Sequence, residues 1–286
     1  MLEPEPEPGP ETEPLTFEAL ENGTFSFTKA GTGDDIQYSK DNGSTWISLA
    51  SDETVSVITG DKVMWKSTIT PSANKGIGQF SSTGKFNVEG NIMSMLYGDD
   101  FNDKTDLTGK TYAFYQLFNN SNVENASNLK LPATTLTSGC YKAMFMNCTS
   151  LITAPELPVT TLTYECYRNM FQGCTSLATA PKLPATTLEG SCYYGMFQGC
   201  TSLTIVPELP ATILVNQCYY YMFYGCRNLS EITMLATDIS ASNCLAYWVR
   251  NVSSTGTFVK HPDMTSLPSG NNGIPNGWAV ENAVIS

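Results

Sequence analysis

Nine cysteines and a single histidine, His261, are the side chains of this sequence with the widest chemical repertoire. Cysteine thiolates act as nucleophiles, ligate zinc or pair as disulfides. A nucleophilic cysteine needs a base positioned beside it, and no histidine or aspartate recurs with these cysteines. His261 lies in Lys-His-Pro-Asp without a partner motif. We therefore predict no catalytic residue, no metal site and no cofactor, and we expect the protein not to be an enzyme.

The cysteines mark an internal repeat. They form two series that both advance by 26 residues, namely Cys140, Cys166, Cys192, Cys218 and Cys244, and Cys148, Cys174, Cys200 and Cys226. Each full copy reads Cys-Tyr-x-x-Met-Phe-x-x-Cys, and Leu-Pro-x-Thr-Thr-Leu or a near copy lies between the blocks. A period of this length predicts a solenoid, in which each unit buries its apolar face against its neighbours.

The spacing within a block predicts its local structure. Cys, Met and Cys fall at i, i+4 and i+8, which is one face of an α-helix. The segments that follow contain several prolines, and this pattern predicts a brief strand that ends at Pro. Cysteines eight residues apart on a helix lie about 12 Å apart, which is too far for a disulfide. We therefore expect buried, reduced cysteines, with disulfides as the alternative and a count of free thiols as the test.

The repeat resembles a known family. Met-Phe-Gln-Gly-Cys-Thr-Ser-Leu at 170–177 and 196–203 is similar to the Ala-Phe-x-Gly-Cys-x-x-Leu signature of BspA-like leucine-rich-repeat surface proteins of gut Bacteroidetes. Met replaces Ala, and the repeat is a few residues longer than is usual there. The likeness covers about residues 106–280, including the tail with Trp248 and Trp278. It implies a cell-surface or secreted adhesion protein, often lipid-anchored, and brings no catalytic residues.

The region before the repeats predicts a small β domain. Short alternating runs such as Thr24–Thr28 are bounded by turns, and Asn42-Gly43 is typical of a hairpin. Ser39-x-Asp41-x-Gly43-x-Thr45-Trp46 resembles the Asp-box of sialidases, for which a hairpin-stabilising turn is favoured over a glycan contact. The aspartates at 99, 100, 103 and 106 lack the spacing of an EF-hand, which favours a solvated loop.

Charge and composition limit the partners and the location that the protein can have. The net charge is −12, which argues against nucleic-acid binding. No run of 18 apolar residues exists, so we predict no transmembrane span. Residues 1–14 alternate Pro with five acidic residues and no base, which predicts a disordered tether, such as follows a signal peptide or lipid anchor in an exported precursor.

The predicted fold class is therefore α+β and multidomain. We expect a tether at 1–14, an antiparallel β-sandwich at 15–105, a leucine-rich-repeat solenoid of short strands and short helices at 106–244, and a C-terminal cap at 245–286.

Variable repeat positions nominate a binding surface. Tyrosines accumulate in the last copies, at Tyr194, Tyr220, Tyr221 and Tyr224. Exposed tyrosine is favoured in recognition surfaces because it combines a flat apolar ring with a polar tip. The alternative is that these rings pack against the cap, beside Tyr247, Trp248 and Phe258.

The leading functional hypothesis is a monomeric, non-catalytic adhesion or recognition protein, either an outer-membrane lipoprotein or secreted. It would bind a host or bacterial surface protein or a glycan through the solenoid. The alternatives are a structural spacer that presents other domains and a component of a carbohydrate-active enzyme.

Overall fold

The computed structural model describes residues 13–51 and 53–285, and the regular secondary structure of this part is nearly all β. Twelve strands occur in it, and nine of them precede residue 131. The strands are β1 (Leu15–Ala19), β2 (Gly23–Lys29), β3 (Ile36–Ser39), β4 (Ile47–Leu49), β5 (Thr54–Val57), β6 (Lys62–Lys66), β7 (Gly78–Ser82), β8 (Phe86–Asn91), β9 (Val123–Lys130), β10 (Glu231–Met234), β11 (Thr257–Lys260) and β12 (Ala279–Asn282).

The predicted α+β class and the strand-plus-helix leucine-rich-repeat solenoid are wrong. The described residues contain one α-helix, α1 (Ser94–Tyr97), followed by a 3₁₀ turn at Gly98–Asp100, and neither lies in the repeats. Three sheets make up the regular structure instead.

Two of the sheets lie in the N-terminal region. The larger sheet has the order β4-β3-β6-β1-β8-β9 and the smaller sheet the order β5-β2-β7. All pairings are antiparallel except that of β8 with β9. Phe17 of the larger sheet lies 5.3 Å from Phe25 and 4.7 Å from Phe80 of the smaller sheet, measured between ring centroids. The alternation of buried rings along β2 thus places an aromatic core between the sheets.

The repeats form turns rather than helices. Gly139, Ala143 and Asn147 have φ values of 63°, 54° and 59°. Alternate N–H groups, those of Tyr141, Ala143, Phe145 and Asn147, donate to carbonyls of the next repeat, whereas Lys142, Met144, Met146 and Cys148 donate to the carbonyl three residues back. Ala143 and Asn147 are the third residues of the turns closed by Met144 and Cys148, and a positive φ at that place is the mark of a type II turn. The backbone therefore lacks the i−4 hydrogen bonds of an α-helix and forms hydrogen bonds to the next repeat instead.

This geometry explains why the spacing misleads. The positive φ returns every fourth residue, so side chains four apart lie on the same side, as they nearly do in a helix. Cys140, Met144 and Cys148 are all fully buried, and all nine cysteines are buried and free. We call residues 112–251 the repeat array.

Aromatic ladders run through the interior of the repeat array. Tyr141, Tyr167, Tyr193 and Tyr219 lie 5.8 to 6.0 Å from one another in sequence order. A second ladder of phenylalanines includes Phe171, Phe197 and Phe223. Trp248 lies 6.2 Å from Tyr219 and ends the first ladder. Phe80 of the smaller sheet stacks on Phe118 at 5.8 Å, which joins the N-terminal core to the array.

The third sheet follows the array. Its strands β10, β11 and β12 are parallel, and β12 is exposed along its whole length. No helix among the described residues is long and apolar enough to cross a membrane. Residues 1–12 of the predicted tether lie outside the described residues, whereas the carbonyl of Glu13 accepts a hydrogen bond from the N–H of Asn91.

Candidate functional site

The structure brings the four predicted tyrosines together with Tyr247. Tyr194 and Tyr220 stack face to face with centroids 4.8 Å apart and an interplanar angle of 4°. Tyr221 stands edge-on to Tyr220 at 4.4 Å and to Tyr224 at 5.3 Å. Tyr247 stacks on Tyr221 at 5.4 Å. We call Tyr194, Tyr220, Tyr221, Tyr224 and Tyr247 the tyrosine surface.

Arginines complete this surface at both ends. The guanidinium of Arg168 lies 4.1 Å from the Tyr194 ring centroid, and that of Arg250 lies 5.8 Å from Tyr224 and 5.9 Å from Tyr247. Each cation is attracted to the negative face of a ring. Cations and stacked rings thus cover part of the ring area of the tyrosine surface.

The predicted packing of the tyrosines against the C-terminal segment is present only in part. Tyr220 and Tyr221 contact Tyr247. Trp248 instead contacts Tyr219 and Phe223 of the buried ladders. The tyrosine surface thus forms a separate outer layer.

Two of these tyrosines adopt a strained backbone. Tyr221 has φ 55° and Tyr247 has φ 54°. The same position of the repeat holds Ala143 at φ 54°, Asn169 at φ 55° and Gly195 at φ 58°, and of these Asn and Gly accept this region readily. A bulky residue there is an outlier that costs about 1–3 kcal/mol and clusters at functional sites. The sequence therefore places tyrosine where the backbone disfavours it, twice in succession.

A buried carboxylate orients the arginine at one end of the surface. Glu165 receives Lys142 Nζ at 2.6 Å and Arg168 Nη1 at 2.6 Å, and its side chain is only 7% exposed. Burial raises the pKa of this carboxyl, but the hydrogen bonds and charges of Lys142 and Arg168 outweigh burial and leave it below its ordinary value. The ionised Glu165 thus holds Arg168 against Tyr194.

The hydroxyls of the surface interact with one another. A hydrogen bond with Tyr221 raises the pKa of the Tyr220 phenol, and burial and the neighbouring phenols act in the same direction. Burial is also the main cause that raises the pKa of Tyr194. These phenols are therefore protonated at neutral pH and can donate hydrogen bonds to a ligand.

Sequence reasoning missed the arginines and assigned Tyr247 only to packing. The signal was present in the 26-residue register. Tyr247 follows Tyr221 by one period, and Arg168 precedes Tyr194 by one period. Comparing positions one period apart would have nominated both residues.

The other sequence candidates lie apart from this surface. Asp99 pairs with Lys66 at 2.7 Å, and the described residues hold no group of three or more side chains suited to a metal. His261 Nδ1 accepts the N–H of Asp263. Asp41 accepts hydrogen bonds from Ser39 and from the N–H and hydroxyl of Thr45, which lower its pKa to about 2. The predicted Asn-Gly hairpin is confirmed, since β3 and β4 pair antiparallel.

The thiols are poorly suited to nucleophilic chemistry. Burial raises the pKa of Cys148, Cys166, Cys200 and Cys218 to about 12. Cys200 donates its S–H to the carbonyl of Phe171 at 3.0 Å. Since the thiolate is the reactive form, these side chains act as small apolar residues of the core.

Comparison of the chain with protein families, curated proteins and solved structures found no match.

Proposed function

We propose that this chain is a non-catalytic recognition protein that binds a partner protein through the tyrosine surface. The observation that carries the proposal is the strained backbone of Tyr221 and Tyr247. Asn169 and Gly195 hold the same position in neighbouring repeats, so the turn of the repeat does not require a bulky residue there.

The residue types at this surface favour a protein ligand. Tyrosine and arginine are enriched at the energetic centres of protein interfaces. Ring edges and hydroxyl groups match the carbonyls and carboxylates of a polypeptide. Arg168 and Tyr220 both pack against the Tyr194 ring, so this ring offers little open face for a sugar.

The test is the double variant Tyr221→Asn/Tyr247→Asn. Asn occupies the equivalent position at Asn169 with φ 55°, so the backbone is expected to tolerate it. Binding to a panel of purified extracellular-matrix, serum and bacterial-surface proteins, measured by surface plasmon resonance, should be lost. The melting temperature should stay equal or rise because the strain is relieved.

Tyr164→Ala is the matched control, because Tyr164 is 51% exposed and lies outside the tyrosine surface. It should retain binding. A large loss of thermal stability in the double variant with binding retained would assign these rings to structure and overturn the proposal.

The resemblance of the repeat to surface proteins supports a cell-surface or secreted location as part of the same proposal. Treating intact cells that express the native gene with a protease should degrade an exposed chain. Protection until the cells are lysed would contradict this location.

A further inference from the structure

A groove lined by glycines and polar side chains crosses the repeats beside the tyrosine surface. It has a volume of about 360 Å³, and Gly173, Gly199 and Gly225 contribute to its lining. Gln172 and Gln198 flank the glycines, and Tyr224 and Arg227 lie toward one end. We call this the amide groove.

The glycines keep the groove open. Their position of the repeat requires a positive φ, which is 75° at Gly173, 76° at Gly199 and 79° at Gly225. Asn147 and Asn251 meet the same requirement at φ 59° and 63°. Glycine is therefore not needed for the backbone alone, and its effect is to leave the base of the groove without side chains.

The groove carries an unused set of hydrogen-bonding groups. The N–H groups of Gly173, Gly199 and Gly225 are all engaged, each with the next repeat at 2.8 Å. Among the described residues, their carbonyls accept no backbone hydrogen bond, and the side-chain amides of Gln172 and Gln198 have no partner. The lining of the groove thus repeats a glycine with an unbonded carbonyl and a glutamine with a free amide in two successive copies.

The charge of the groove differs from that of the whole chain. Its lining includes the base Arg227 and no carboxylate, whereas the net charge of the protein is −12. No acidic side chain pairs with Arg227 or Arg250 within the described residues. Arg227 is thus the charged side chain among the lining residues, while Arg250 lies against Tyr224 outside the lining.

We propose that the amide groove binds an extended acidic oligosaccharide whose carboxylate or sulfate lies near Arg227. Sugar hydroxyls both donate and accept, so they can pair with carbonyls and with amide side chains. Arginine recognises a carboxylate or sulfate through paired N–H donors. A peptide strand fits less well, because the N–H groups of the groove base are already bonded and only the side-chain amides of Gln172 and Gln198 remain as donors to its regularly spaced carbonyls.

The experiment uses the full chain and an array of uronate-containing, sulfated and neutral oligosaccharides of three to six units. Binding of acidic members, followed by calorimetry, is the expected result. Gly199→Asn should weaken binding at least about tenfold. A Cβ at this position meets only the Gly173 backbone, with Cα and N both at 3.9 Å, so the substitution begins without a clash.

Gly109→Asn is the matched control, since Gly109 also has a positive φ, of 77°, and open space around it. It should leave affinity unchanged. Arg227→Gln should lower affinity about tenfold and remove the preference for acidic over neutral sugars. Tyr221→Asn/Tyr247→Asn should retain sugar binding, which separates this proposal from protein recognition by the tyrosine surface.

Three results would overturn the inference. The first is that no oligosaccharide binds. The second is that the Gly199→Asn variant keeps the melting temperature of the unaltered protein and binds the sugar equally well. The third is that an unrelated extended peptide of comparable affinity displaces the sugar.

Discussion

The N-terminal sheets and the repeat array bury aromatic rings in opposite ways. Phe17 in β1 contacts five rings at mixed angles, among them Phe25 edge-on and Phe86 tilted. In the array each phenylalanine stacks nearly parallel on the next, as Phe197 does on Phe223 at 7°. The first core is a single hub, whereas the second is a line of equivalent contacts.

The backbone follows the same division. In the sheets, strands that are distant in sequence pair, as β1 does with both β6 and β8. In the array, alternate N–H groups bond to the next copy one repeat away. A substitution in the single N-terminal core should disturb the packing of that whole core, whereas each repeat of a linear array is stabilised by contacts with its two neighbours. The two regions should therefore respond differently to the same kind of perturbation.

Alkaline pH should produce the largest effect, and it should originate in the array. All nine cysteines lie between residues 140 and 244, and burial raises the pKa of thiols such as Cys200 to about 12. Below the ordinary thiol pKa both states hold these protons, so stability is retained. At higher pH the unfolded chain loses them first, and each such thiol costs about 1.4 kcal/mol per pH unit.

The measurement is the melting temperature from pH 8 to 11 together with thiol labelling. The melting temperature should fall steeply above pH 9, and the thiols should react only as the chain unfolds. Cys200→Ala is the control: it removes one buried thiol, so the melting temperature should fall less steeply with pH. A melting temperature that stays constant to pH 10.5, or thiols that label in the folded chain, would contradict buried cysteine ladders.

The next largest effect is the loss of stability when one buried phenylalanine is removed from each region. Phe17→Ala and Phe197→Ala each remove a fully buried phenylalanine, and each should cost about 3–5 kcal/mol in urea unfolding. Hydrogen exchange should separate them. Phe17→Ala should raise exchange across both N-terminal sheets, whereas Phe197→Ala should raise it mainly in the adjoining repeats.

Ile205→Ala serves as the control, because Ile205 is 60% exposed and its loss should change stability by no more than about 0.5 kcal/mol. Equal exchange increases in β1 and in the repeats after Phe197→Ala would show that the array does not act as a line of neighbours.

The smallest effect concerns the β3–β4 hairpin. Hydrogen bonds from Thr45 and Ser39 hold the pKa of Asp41 at about 2. Its contribution is therefore present above the ordinary carboxyl pKa and is lost as pH falls toward 2. Carboxyl NMR titration should give a midpoint near 2, and Thr45→Val should raise it. An unchanged midpoint in that variant would show that Thr45 does not set the pKa.

Three elements show which structural features the sequence patterns predicted correctly and which they did not. Asn42-Gly43 predicted its hairpin correctly because two successive positive φ values restrict the residues that fit. The Cys-Met-Cys spacing failed because a turn that repeats every four residues buries the same side chains as a helix. For the site, repeat alignment nominated Tyr194, Tyr220, Tyr221 and Tyr224, but only the fold showed that stacking covers ring faces within the cluster.

The sequence by itself determined the 26-residue period, the burial of the cysteines and the clustering of tyrosines in the last copies. These follow from composition and spacing along the chain. Only the tertiary structure decided that the repeats are turns, because the hydrogen bonds that replace the helix lie between copies. It also decided that Tyr221 and Tyr247 are strained and that glycines keep the amide groove open, since φ angles and cavities arise only when neighbouring copies pack together.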